Sequence, residues 1–412
     1  MASIDSSPAA STYHVVTAVW GAEFIELFLQ TCVPNQLSPG NLPALPPGSR
    51  YRVLTTAADA PTLAQDGRLD PVRRVLPVDV VAVDMGKAGE AAKPGQIRNR
   101  YQMMTACHRR AVADAADVEA ALIFLAPDIV LAEGTIGSLV RLHREGYRAV
   151  LTANLRLARE RVLASLARAG RVSALAPREL VRLAMSHLHP ATDSMMVDGE
   201  TANDFPVAVY WPVPDRGALD GVFVRSLSLH PLLLDPVRRR ELPRFTIDGH
   251  YLMRCCPKLK QCHVVDDSDE LIVFELTPEQ RSIGNRRGRR GVSMTRLADV
   301  AGNCDRYQLA NWERPIRIHA GSLDARWDAV ERESAQFIRR FERYQPYGPT
   351  FFRVYRALNL WRQRRERYVR TARQALPSVS SKSAMRPARL FVHRTLKAGR
   401  LALKRVRRRV GL

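Results

Sequence analysis

Between residues 13 and 152 one pattern recurs: a short, nearly unbroken apolar run, a turn, then a stretch whose apolar residues return every three or four positions. The runs are 13–20 (YHVVTAVW), 50–55 (RYRVLT), 78–84 (VDVVAVD), 121–125 (ALIFL) and 148–152 (RAVLT). A strand apolar on both faces belongs inside a sheet that is covered on both sides. The cover is expected from helices over 22–31, 96–121 and 135–145, the second carrying Tyr101, Met104, His108, Val112 and Ala115 on one stripe and the third closed by Gly146. The expected fold class is therefore α/β, with a mostly parallel central sheet and helices on both faces.

Beyond residue 152 the pattern is less regular. Helices are expected over 157–169, 177–188 and 323–344, strands over 207–211, 221–228, 263–265 and 269–276, and a basic loop over 281–291. This divides the chain into a flexible N-terminus (1–12), an α/β domain (13–280), a loop and helical extension (281–350) and a basic helical tail (351–412).

Charge separates the tail from the rest. Of the net +22, residues 351–412 hold +18, from nineteen Lys and Arg against the single Glu366. The remainder has the modest charge of an ordinary enzyme domain. Within the tail, Val392, Leu396, Gly399, Leu403, Val406 and Val410 alternate four- and three-residue steps, so a helix there carries an apolar stripe among arginines. Such a helix suits an anionic membrane surface, where each cation contributes about 1 kcal/mol. Nucleic acid would attract the same charges but leaves the stripe without a partner, and no nucleic-acid-binding motif accompanies it. No run reaches the roughly 20 apolar residues of a membrane span. Six scattered cysteines and a polar start without an apolar leader run lead us to expect a reducing, cytoplasmic setting, peripheral at the inner face of the membrane.

Ligands of open α/β sheets bind beyond the carboxyl ends of the strands. That selects the turns after Trp20, Thr55 and Asp84, and Asp128 beyond the run 121–125. Thr17, Trp20 and Gly21 are candidates for contact with a nucleotide, although a buried strand with a glycine turn explains them equally well. Neither GxGxxG nor GxxxxGK[ST] is present, which disfavours dinucleotide and P-loop sites. Cys255, Cys256, Cys262 and His263 lack zinc-site spacing and read as buried, reduced packing residues.

This order of elements, with an N-terminal strand and helix and a long helix before an apolar strand ending in Leu125-Ala126-Pro127-Asp128, resembles the GT-A fold of nucleotide-sugar glycosyltransferases, itself Rossmann-like, over residues 13–276. The resemblance implies a metal-binding DxD motif at the end of that strand. Asp128 matches its second carboxylate, and Ala126 stands where the first is expected. It also implies a manganese or magnesium ion bridging the donor diphosphate, held by oxygen ligands. His230 and Asp248 are candidates for a further ligand or a general base, His230 also for the metal, and His187 and His189 are further candidates; a structural hydrogen bond is the alternative reading of each, and Glu133 reads as complementing a helix dipole. The activity implied is sugar transfer from a nucleotide-sugar donor to a polysaccharide or glycolipid-type acceptor near the inner membrane. A non-catalytic nucleotide-sugar-binding relative and a nucleic-acid-binding protein are the alternatives.

Overall fold

The computed structural model describes residues 12–84, 97–170, 174–215, 217–248, 250–286 and 291–344. The expected flexible N-terminus, but for Thr12, and the basic tail lie outside them. Strands β1 (Tyr13–Ala18), β2 (Arg50–Thr55), β3 (Val78–Ala82), β4 (Ala121–Phe124) and β6 (Ala149–Thr152) form where the apolar runs predict. Between and after them lie β5 (Ile129–Leu131) and β7 (Leu155–Ala158). The second half adds β8 (Ala202–Asn203), β9 (Ala208–Asp215), β10 (Ala218–Ser226), β11 (His230–Leu234), β12 (Cys262–Val264), β13 (Val273–Thr277), β14 (Asn285–Arg286) and β15 (Ile316–His319).

Seven of these make the central sheet, in the order β12-β6-β11-β4-β1-β2-β3. β4, β1, β2 and β3 are mutually parallel, as are β12 and β6, and β11 alone runs against both its neighbours. Alternation along β1 explains why both faces need cover. Tyr13 and Val15 join a core with Phe28, Ile136 and Leu139, under the helices that follow β1 and β5. Val16 and Ala18 point the other way, to Cys107, Val112 and Ala115 of the helix Ile97–Asp117. β3 closes one edge of the sheet, with Asp79 held by Arg50 at 2.7 Å and Arg52 at 3.6 Å.

Among the described residues two three-stranded sheets accompany the large one, and β8 pairs with β14. β9, β10 and β15 form an antiparallel layer whose Trp211 and Phe223 pack with Trp312, Trp327, Phe337 and Phe341 from the helices after residue 293. β13 lies between β5, antiparallel, and β7, parallel. Among the described residues no helix is long and apolar enough to cross a membrane.

Several expectations are corrected. The first helix does not stop before Pro34: Ala22–Leu27 is followed by a π-helical turn, Phe28–Cys32, and one more α-turn, Val33–Gln36. Pro34 lacks the N–H that would continue the i→i−4 ladder, so the register widens ahead of it. The helix expected from residue 157 starts at Arg159, because Leu155–Ala158 pairs as a strand. His230 opens a central strand rather than a loop, with Pro231 accommodated at a register shift against β6.

One backbone contact fixes how the helix Thr135–Arg144 enters the sheet. Gly40 (φ 72°) and Gly134 (φ 77°) meet so closely that a Cβ on Gly40 would lie 2.7 Å from the Gly134 Cα, whereas a Cβ on Gly134 meets nothing within 4 Å. Gly134→Ala is expected to cost only the backbone penalty, about 1–2 kcal/mol. Gly40→Ala adds a backbone collision and should cost measurably more in urea denaturation; equal losses would show that the contact yields without strain.

Candidate functional site

The C-terminal ends of β1, β2, β4 and β6 and the start of β11 share one edge of the large sheet, and the candidate residues collect there. At the end of β1, Thr17 is fully buried: the Tyr51 hydroxyl donates to Gln36 Oε1 at 2.7 Å and accepts from Thr17 Oγ1 at 2.9 Å. Trp20 is half-buried against the core, and Gly21 turns the chain at φ 79° with open space where a side chain would stand. The Gly21 N–H donates to Asp59 Oδ2 at 3.2 Å, and Thr56 Oγ1 donates to the same oxygen at 2.8 Å, so the turns after β1 and β2 are tied together.

Asp128 lies just before β5 and is 8% exposed. Its carbonyl accepts the Leu276 N–H at 2.7 Å, which places it beside β13. There Glu275 is paired across the ladders with Ile129 on one side and Arg156 on the other. The Glu275 carboxylate accepts from Arg156 and, at 3.0 Å, from Asn154 Nδ2. Burial first, and then the negative charge of Glu275, push the Asp128 carboxyl up to about 8, against the opposing pull of Arg156 and Arg281. The group formed here is thus two carboxylates and two guanidinium groups, of which the sequence reading named only Asp128. Glu275 was legible as the one charge inside the run VFEL, and Arg156 as the polar member of the alternation LRLA.

His230 and Asp248 gather around a third residue. The His230 Nε2 lies 3.4 Å from the Phe124 carbonyl oxygen, and the His108 ring meets the Phe124 ring edge-on at 5.2 Å. His108 is buried with no hydrogen-bond partner for Nδ1; burial chiefly, with His230 adding to it and Asp248 opposing, pushes its imidazole down to about 4. Asp248 is exposed, at the rim of a narrow crevice with Leu229, Pro231, Asp305 and Tyr307. The sequence reading placed His108 only on the core-facing stripe of its helix.

The other candidates have structural partners. His189 caps a helical turn, accepting from the Ala191 N–H at 3.0 Å while its Nε2–H donates to the Pro278 carbonyl at 3.0 Å; His187 bonds Ser165 at 2.8 Å. Cys255, Cys256 and Cys262 are buried and free, and His263 turns instead to Glu270 at 2.6 Å.

No family model and no curated protein matches the chain. Solved structures with some likeness to it include TarS 1–349 of S. aureus, at 14% identity over 35% of this chain and 36% of that one, with a TM-score of 0.22. Mouse xyloside xylosyltransferase 1, apo form, matches at 10% identity over 38% and 58%, with a TM-score of 0.24. Another S. aureus TarS structure matches at 12% identity over 35% and 22%, with a TM-score of 0.21. Only part of each neighbour is spanned, and at such TM-scores the likeness adds nothing to what the strand order itself establishes.

The elevated Asp128 carboxyl has a consequence for stability. An unfolded aspartate titrates near about 4, so between there and about 8 the native state keeps a proton the unfolded state has lost, and stability falls as pH rises through that window. In urea denaturation at about pH 5 and about pH 9, wild type should lose more stability on going up than Asp128→Asn, which has no proton to release. Parallel losses in the two proteins would show that Asp128 is ionised well below this range.

Proposed function

We propose that this chain is a glycosyltransferase-like enzyme that takes a nucleotide-sugar donor at the sheet edge around Asp128. The observation that carries the reading is buried Asp128 beside half-buried Glu275 of β13, the two facing Arg156 of β7 and Arg281. Arginines are suited to diphosphate oxygens by their planar donor fork, and a low-dielectric surround strengthens such contacts. Gly21, with open space beside it, and Trp20 offer a close backbone approach and an aromatic surface for the nucleotide; Thr17 supports this turn from within through its bond to Tyr51.

A manganese or magnesium ion would be held here by the Asp128 and Glu275 carboxylates only after Asp128 releases its proton and Glu275 leaves Arg156. Asp128 and Glu275 supply the oxygens a hard cation takes, and Glu275 stands in for the carboxylate that Ala126 lacks. His230 lies instead with His108 and against the Phe124 carbonyl oxygen, and among the described residues no cluster of three metal-ligating side chains includes Asp128, Glu275 or His230. Bound by the two carboxylates, the cation would neutralise charge on the donor's diphosphate leaving group. Of the chain's own groups, Asp248 is exposed and able to receive the acceptor hydroxyl proton, with His108 and His230 beside it.

Thermal-shift measurement with nucleotide sugars, with and without manganese, tests the donor site, since a ligand that binds only the native state raises its melting temperature. We expect a shift for at least one donor in wild type, and in Asp128→Asn a smaller shift together with loss of turnover. A shift that Asp128→Asn leaves unchanged, with turnover intact, would remove Asp128 from the site; a donor that binds wild type without any turnover would make the chain a binding relative rather than an enzyme.

The acceptor belongs to the same proposal: a polysaccharide or glycolipid precursor at the inner face of the membrane, reached from the cytoplasm by the basic tail. Support comes from the apolar stripe Val392, Leu396, Leu403, Val406 and Val410 among arginines. Deleting residues 387–412 should release the protein from anionic vesicles while transfer to a water-soluble acceptor persists. Leu396→Ser with Leu403→Ser should weaken vesicle binding at constant charge, and salt should weaken it at constant hydrophobicity. Tighter binding to duplex DNA, indifferent to the two serines, would replace the membrane by nucleic acid.

A further inference from the structure

Away from the Asp128 group, three side chains converge, two from a loop and one from a strand. Asp267 and Asp269 lie in the loop between β12 and β13, and His319 ends β15. β12 stands three strands from β4 in the large sheet, a lateral offset of about 14 Å at about 4.8 Å per strand. None of the three residues takes part in the donor site proposed above.

His319 distinguishes this group from a patch of surface carboxylates. Its side chain is only 2% exposed. Its Nδ1 lies 2.6 Å from the Gly321 carbonyl oxygen, which can only accept, so Nδ1 carries the hydrogen. Nε2 is the atom turned toward the loop, facing Asp267 Oδ1 at 2.9 Å and Asp269 Oδ2 at 3.9 Å. A histidine whose Nδ1–H donates to a backbone carbonyl while Nε2 meets carboxylates has the orientation of a metal ligand held by its second shell, once a cation displaces the proton that those carboxylates keep on Nε2.

The loop is already fixed in place. The Arg317 N–H donates to the Asp266 carbonyl at 2.8 Å, the Ser268 N–H to the Arg317 carbonyl at 2.9 Å, and the His319 N–H to Ser268 Oγ at 3.0 Å. One ligand atom from each of the three residues lies within 4.8 Å of the others. A cation about 2.0–2.2 Å from each donor requires them about 3–3.6 Å apart. Asp267 and His319 meet that already, and Asp269 has only to close in. Asp269 is exposed and now paired with the exposed Arg178 at 2.7 Å, an ion pair that costs little to exchange.

We propose that Asp267, Asp269 and His319 bind one divalent transition-metal cation, of the manganese or zinc class, which clamps the 266–270 loop to β15. One imidazole with two carboxylates suits these ions better than calcium or magnesium, which prefer oxygen alone. The role is a cross-link between the large sheet and the β9-β10-β15 layer, and it stands whether or not the donor site is as proposed.

The test uses the full chain stripped with chelator and titrated with Mn²⁺, followed by the loss of the free-ion paramagnetic resonance signal, and with Zn²⁺ by calorimetry. Wild type and the double variant Asp128→Asn, Glu275→Gln should both retain one equivalent at this site. Asp269→Asn should weaken that binding about tenfold or more, and His319→Gln should abolish it, together with the metal-induced rise in melting temperature. Since the Asp269 side chain is exposed, its variant carries the test alone where His319→Gln fails to fold. The proposal is overturned if the Asp128, Glu275 double variant takes up neither metal, or if its uptake is unchanged on adding Asp269→Asn.

Discussion

Asp235 keeps its charge with no contact with water, and much of the large sheet is arranged so that it can. It follows β11, and its carboxylate meets Arg148 ahead of β6, Arg239 at 3.0 Å and the His143 Nε2–H at 3.1 Å. The other ring nitrogen of His143 meets the Tyr13 hydroxyl, 2.8 Å away at the start of β1. Burial alone would raise this carboxyl; the His143 hydrogen bond and the two arginines outweigh it and hold the group below the usual carboxylate range. Removing one partner from so enclosed a pair costs on the order of 3–5 kcal/mol. The network therefore fixes β11 between β4 and β6, in the one orientation opposed to its neighbours. That reversal brings His230, the first residue of β11, to the same edge as the ends of β4 and β6.

The two ends of the sheet thus handle charge differently. Around Asp235 the charge is compensated inside the protein by Arg148, Arg239 and His143, although Oδ1 has only the ion pair with Arg239 and no hydrogen bond. Around Asp128 compensation is incomplete for that residue: Glu275 is satisfied by Arg156 and Asn154, while Asp128 feels burial and a like charge and holds its proton to about 8. Charge that a protein leaves poorly compensated in a cleft marks where a ligand belongs more often than charge it has neutralised.

The apolar runs made the parallel part of the sheet legible because central strands advertise themselves by continuous hydrophobicity. Asp128 was legible for the same reason, as the first charge after such a run. β11 was not, because its second residue is Pro231, which in sequence signals a turn and is tolerated here only at a register shift. β7 was absorbed into the helix that follows it without a break, and β15 is a four-residue alternation, IRIH, too short to stand out. Those omissions hid Arg156 and His319. Glu275 sat within a recognised strand, yet its partners come from segments more than a hundred residues away, and only the folded ladders bring them together.

Among the described residues β3 forms one margin of the sheet, and that margin bears on how this molecule behaves in a crowd. An edge strand offers unpaired backbone groups to any passing strand, and long apolar edges are templates for uncontrolled pairing. β3 is five residues long, and its Asp79 is clasped by Arg50 and Arg52 of the neighbouring strand, so an incoming chain would have to pass a fixed cluster of charge. The opposite edge, β12, is only three residues long. Both margins of the sheet thus resist extension, and its growth by a second copy of itself is discouraged at either side.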